Sequence, residues 1–280
     1  MILKSDKINK LFDVEALKKS NAVLKSFIIE NSREIDEEYK RPAVIICPGG
    51  GYEFLSDREA DVVAQRFVAA DISAFILNYS IEKDKIYPIQ LLEASAALAY
   101  VRKNADKYNL DKDKIFVCGF SAGGHLAGNL GVSWQKSFIE EALKIEKGEN
   151  KPNALLLCYP VITGGEYAHR GSFDNLLGYK ANEENYHKLS LENCVSQNTP
   201  PTFIWHTFED GAVPVENSLL FGNALRKNEI PFEMHIYTRG GHGLSLADKT
   251  TAKKDNLSYI NSHVATWFNL FIEWINDLFA

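Results

Sequence analysis

The stretch "VCGFSAGGHLAG", Val117–Gly128, decides how this chain folds. The apolar run that ends at Phe120 reads as a buried strand, and the small-residue run from Ala122 reads as a helix. The passage between them is compressed to one residue, Ser121. Gly119-Phe120-Ser121-Ala122-Gly123 fits G-x-S-x-G between a strand and a helix. In such a sharp turn the serine hydroxyl projects past the sheet edge. Side chains two positions to either side would collide, so both are glycine, and the N–H of Ala122 faces the place where an attacked carbonyl becomes an oxyanion.

Outward from that turn, short apolar runs alternate with longer helical patterns. Ala43–Pro48, Ser73–Ser80, Lys114–Phe120, Ala154–Pro160, Thr202–Thr207 and Phe232–Thr238 read as strands. Most are unbroken apolar runs, as expected of strands covered on both faces. Asp57–Ala70, Ile89–Tyr108, Ala122–Ser133, Val215–Asn228 and Asn256–Phe279 read as helices. Leu91, Leu92, Ser95, Leu98 and Ala99 predict one buried stripe on the second of these. "LKSFIIEN", Leu24–Asn31, predicts an antiparallel edge strand. This alternation implies a mainly parallel central sheet with helices on both faces. The irregular stretch Ile162–Pro201 reads as a small inserted cap, so residues 1–280 are expected to form a single domain.

The composition bounds the rest. A chain of 280 residues with 45% hydrophobic and 24% charged residues has ordinary soluble globular character. Its net charge of −6 and the lack of a basic block argue against a nucleic-acid or anionic-membrane partner. Cys47, Cys118, Cys158 and Cys194 form no CxxC pair, and the first three sit in or beside apolar runs. That usage suits a reducing compartment. The N-terminal residues contain no continuous apolar core of a signal peptide, so a cytoplasmic location is expected.

A nucleophilic serine needs a base, and the base needs an acid to orient it. Of the seven histidines only His242, in "YTRGGHGLS", stands in a glycine-flanked loop after the last strand. His206 and His235 fall inside strand patterns as packed residues, and His125 reads as a helix-packing residue. His169, His187 and His263 carry no partner signal and read as surface residues. The acid belongs in the loop after the preceding strand, where "TFIWHTFEDGAVPVENS" offers Glu209 and Asp210. Asp210, before the Gly-Ala-Val-Pro turn, is the expected partner, and Glu209 is the fallback. A second glycine turn, "CPGGGY" at Cys47–Tyr52, places Gly50 and Gly51 where their N–H groups could complete an oxyanion hole with Ala122. Neither glycine turn has a P-loop ending or a dinucleotide fingerprint. No histidine pair has metal-ligand spacing, so no metal and no cofactor is expected.

Five stretches taken together resemble a known family. "PGGGYEFLSDREA", "NYSIEKDKIYP", "GFSAGGHLAGNLG", "TPPTFIWHTFEDGAVPVENSLLFGNALRK" and "GGHGLS" are similar to the α/β-hydrolase esterases with a PGGGY or HGGGY oxyanion loop. The nearest branch is the bacterial acetylxylan-esterase-like proteins, related to hormone-sensitive-lipase-type esterases. The resemblance runs from about Ala43 to the C-terminus. It implies a nucleophile at Ser121, an acid at Asp210, a base at His242 and oxyanion donors at Gly50, Gly51 and Ala122. Pro48 stands where many relatives carry histidine. The expected activity is hydrolysis of short-chain acyl esters through an acyl-enzyme, with acetylated sugars or xylo-oligosaccharides as substrates. An amidase or peptidase on the same fold is the alternative, and a catalytically silent relative used as a binding module is a further one. The expected partner is a small-molecule ester; the sequence does not address the oligomeric state.

Overall fold

The computed structural model describes residues 1–280. Its centre is one sheet of eight strands: β1 (Ile2–Lys7), β2 (Val23–Ile28), β3 (Arg41–Cys47), β4 (Ser73–Asn78), β5 (Leu110–Phe120), β6 (Ala154–Cys158), β7 (Thr202–Thr207) and β8 (Phe232–Tyr237). They lie in the order β1-β2-β4-β3-β5-β6-β7-β8. β1 and β2 pair antiparallel, as do β2 and β4, and every other pairing is parallel.

Strand alternation explains the apolar runs. Successive side chains point to opposite faces. Ile45, Val117, Leu155 and Leu157 enter one core, with the helices Ile89–Lys103 and Ala122–Ser133. Their neighbours Val44, Ile46, Phe116, Cys118 and Leu156 enter the other, with the helices Asp61–Val68 and Trp267–Phe279. Both faces are dry, so both parities of each central strand must be apolar.

Three expectations change. The stretch after Val23 is antiparallel as predicted, but it is not the edge; β1 pairs outside it. β1 reads "ILKSDK" and is largely exposed, so it lacks the apolar run that marks a buried strand. The helix Ile89–Lys103 is buried nearly all round rather than along one stripe. The N-terminal segment covers its outer side: Ile8, Val14 and Leu17 are buried there, and Ser20 Oγ donates to the buried Glu93 carboxylate at 2.6 Å. Finally, the C-terminal helix begins at Trp267, not Asn256. Asn256 Oδ1 accepts the N–H of Ser258, and Asn261 Oδ1 accepts those of His263 and Val264. Such local side-chain acceptors compete with helix and hold short turns instead.

Between β6 and β7, the chain from Ile162 to Pro201 carries the short helices Arg170–Leu177 and Glu183–Lys188. Phe173, Leu176, Leu177, Leu189 and Leu191 anchor it on the larger core. No helix is long and apolar enough to cross a membrane.

Candidate active site

The parallel strands end along one edge, and each delivers a piece of the site there, where open α/β sheets bind ligands. β3 runs into Gly49–Gly51, β5 into Ser121, β7 into Asp210 and β8 into the loop of His242.

Ser121 takes a backbone conformation rare for a side-chain-bearing residue, φ 53° and ψ −117°. The turn is so tight that a Cβ on Gly119 would lie 2.2 Å from the Gly123 carbonyl oxygen. One on Gly123 would lie 2.1 Å from the Cys47 carbonyl oxygen. These overlaps are the physical content of the G-x-S-x-G spacing. Ser121 Oγ is 2.8 Å from His242 Nε2, and His242 Nδ1 is 2.6 Å from Asp210 Oδ2. The Asp210 side chain is fully buried. Its Oδ1 accepts the N–H groups of Ala212 at 3.0 Å and Val213 at 2.9 Å, which lock its rotation.

Burial works against the Asp210 charge, but hydrogen bonds from His206 and His242 outweigh it. Its pKa is therefore held below the usual carboxylate range. His206, packed inside β7 as expected, has its Nε2 3.3 Å from Asp210 Oδ2 and 2.9 Å from the Val213 carbonyl oxygen. Its Nδ1 accepts the Ser218 hydroxyl at 2.7 Å. Glu209 faces elsewhere: it accepts from Arg239 Nη1 at 2.7 Å and from the Gly240 N–H at 3.1 Å. The structure thus brings Asp210 to His242, while Glu209 tethers the loop that carries the histidine.

Gly50, Gly51 and Ala122 donate no hydrogen bond within the protein through their backbone N–H groups. Gly50 has φ +126°, and a Cβ there would overlap the Phe54 carbonyl oxygen at 2.0 Å. That loop is clamped from below. Glu59, buried, accepts the Gly49 N–H at 2.8 Å with one oxygen and the Tyr159 hydroxyl at 2.7 Å with the other. Tyr159 in turn accepts the Ser245 N–H at 2.9 Å, and its ring lies edge-on 5.1 Å from the His242 ring. Arg58, beside Glu59, donates from Nη1 to the Gly243 carbonyl at 2.8 Å. Residues 58 and 59 therefore tie the glycine loop and the histidine loop together. Sequence reading missed both Glu59 and Tyr159. The only signal was an acid closely following the glycine turn in "SDREA", too common to single out.

His125 packs as expected, buried between Tyr52 Oη at 3.0 Å and the Leu189 carbonyl at 2.9 Å. Burial pushes its pKa down to about 4. His169 departs from expectation. It is half-buried and lines the same cleft as Ser121 and His242 because the helix it introduces is folded back over Gly51. The cleft holds about 710 Å³, and the polar side chains of Asp57, Asn175 and Lys253 line it together with Phe54, Leu55 and Tyr259.

Comparison with known proteins places this geometry in context. The BD-FAE family profile matches residues 33–225. The chain is 41% identical to endo-1,4-beta-xylanase B of Butyrivibrio fibrisolvens over 76% of its own length and 34% of that protein's. It is 30% identical to an acetylxylan esterase of Xylanibacter ruminicola over 84% of its own length and 44% of that protein's. The chain thus spans less than half the length of these two curated relatives. Among solved structures, an acetyl ester-xyloside bifunctional hydrolase from Caldicellulosiruptor lactoaceticus superposes with a TM-score of 0.81 at 34% identity, covering 98% of this chain and 96% of that one.

Proposed function

Because the chain belongs to the BD-FAE family and has the α/β-hydrolase fold, we propose that it is a serine carboxylic-ester hydrolase acting on short acyl esters, acetylated sugars in particular. The observation that carries this reading is the continuous hydrogen-bonded line Ser121 Oγ–His242 Nε2–His242 Nδ1–Asp210 Oδ2 beside three unengaged backbone N–H groups. His242 Nε2 takes the hydroxyl proton as Ser121 Oγ attacks the ester carbonyl. The carbonyl electron pair moves onto oxygen, where Gly50, Gly51 and Ala122 donate to it. The C–O bond to the alcohol then breaks, and His242 returns the proton to the leaving oxygen. Water repeats the sequence on the acyl-serine and releases the acid. Asp210 holds His242 with its proton on Nδ1, so that Nε2 is free to accept.

The acetylated-sugar assignment is supported by the polar side chains His169, Asn175, Asp57 and Lys253 in the cleft and by similarity to proteins named as an acetylxylan esterase and an acetyl ester-xyloside hydrolase. The segment Ile162–Pro201 serves as a small cap on one sheet-based domain. The test compares wild type and Ser121→Ala on 4-nitrophenyl acetate, butyrate and decanoate. We expect turnover to fall from acetate to decanoate. In the variant it should drop by up to about 10⁶, as when a triad serine is removed elsewhere. Near-wild-type activity in Ser121→Ala would sink the mechanism, and a preference rising with chain length would sink the acyl assignment.

A further inference from the structure

His169 has one ring nitrogen committed and one free. Nδ1 lies 2.8 Å from the Ser172 hydroxyl and accepts the Ser172 N–H at 3.3 Å, as the N-cap of the helix Arg170–Leu177. A nitrogen that accepts carries no proton, so the neutral ring bears its hydrogen on Nε2. Burial, and then the neighbouring His242, push the His169 pKa down, which favours that neutral form. Nε2 has no partner in the protein. The same helix presents Asn175, whose Nδ2 donates to the Gly51 carbonyl at 2.9 Å while its Oδ1 accepts nothing. A Cβ built on Gly51 would lie 4.0 Å from His169 Cε1 and 3.8 Å from Ser172 Oγ. The helix therefore stands directly over the glycine loop, in a cleft far roomier than an acetyl group needs.

On the basis of the esterase reading above, we propose that this helix builds a hydroxyl-reading subsite for the alcohol half of the substrate. In it, His169 Nε2–H donates to an oxygen of a sugar, and Asn175 Oδ1 accepts from a neighbouring hydroxyl. A polyol can satisfy a donor and an acceptor on one helix face. An alkyl or aryl alcohol leaves both unpaired, and a site built for hydroxyls discriminates against analogues that lack them.

The experiment pairs 4-nitrophenyl acetate with a mono-acetylated methyl xyloside, on wild type, His169→Ala and His169→Asn. Asparagine is a good N-cap, so His169→Asn keeps the helix start while removing the longer donor. We expect KM for the acetylated xyloside to rise about tenfold in both variants, the scale of one lost hydrogen bond, with 4-nitrophenyl acetate kinetics within about twofold of wild type. A rise in His169→Ala that His169→Asn reverses would mean that the residue is only a cap. An equal loss on both substrates would place Nε2–H on the oxyanion or the base. Either result overturns the subsite, as does no change on either substrate. A wild-type enzyme that hydrolyses 4-nitrophenyl acetate but not the xyloside removes the sugar reading itself, and the subsite with it.

Discussion

Replacing Asp210 by asparagine changes one heavy atom, and the structure dictates which way the amide must face. Oδ1 of Asp210 accepts two backbone N–H groups, those of Ala212 and Val213, at 3.0 and 2.9 Å. An amide NH₂ placed there would meet two donors head-on, so the oxygen must stay and the NH₂ must take the place of Oδ2. That position faces His242 Nδ1, 2.6 Å away in the wild type. His242 can then only accept at Nδ1, and its proton moves to Nε2, the atom 2.8 Å from Ser121 Oγ. A protonated Nε2 cannot take the serine proton. The same tautomer error in a serine protease lowers turnover about 10⁴-fold, equivalent to about 5.4 kcal/mol of barrier. The substitution also removes a charge that receives hydrogen bonds, each worth about 1.5–3 kcal/mol to a charged group. The melting temperature should therefore fall by several degrees while the fold survives. Glu209→Gln loses only an exposed pair with Arg239, worth up to about 1 kcal/mol. It should remain within about tenfold of wild type. Both variants are to be assayed on 4-nitrophenyl acetate, with melting curves alongside. Asp210→Asn within tenfold of wild type, or Glu209→Gln as the worse variant, would refute the reasoning.

Two further outcomes are expected. In Glu59→Gln the carboxylate that accepts both the Gly49 N–H and the Tyr159 O–H keeps only one acceptor oxygen. At about 1.5–3 kcal/mol for a hydrogen bond to a charged group, kcat should fall about 10–150-fold with a smaller change in KM; unchanged kinetics would show that the clamp does not position the loop. Native His125, with its pKa pushed down to about 4, binds fewer protons than the unfolded chain between about 4 and 6.5. Stability therefore rises with pH across that window and is lost as pH falls through it, by on the order of 3 kcal/mol. Urea unfolding of His125→Gln should show a flatter dependence between pH 7 and 4.5, and identical slopes for both proteins would remove His125 as the cause.

Local rules made much of this protein legible before any coordinates. An unbroken apolar run such as "IFVCGF", bounded by turn signals, reads as a strand covered on both faces, and it is one. G-x-S-x-G marks a strand-to-helix turn in the sequence, and for Gly119 the reason is local, since a Cβ there would overlap the Gly123 carbonyl oxygen; Gly123 is required by the Cys47 carbonyl oxygen at the end of β3, a contact that the five residues do not contain. Chain order and loop context were enough to select Ser121, Asp210 and His242, which the structure brings together. Other features depended on residues distant in sequence. Glu59 reaches Tyr159 across 100 positions and Tyr159 reaches Ser245 across 86, contacts that leave no periodic or spacing signature. The helix Ile89–Lys103 shows one stripe in sequence, yet the N-terminal segment buries its other side. His169 reads as a surface residue until its helix is laid over Gly51. Spacing along a chain encodes which residues share a strand face or a turn. It does not encode which loops meet above the sheet, because that is settled only when the two cores pack and bring the ends of β3, β5, β7 and β8 to one edge of the sheet.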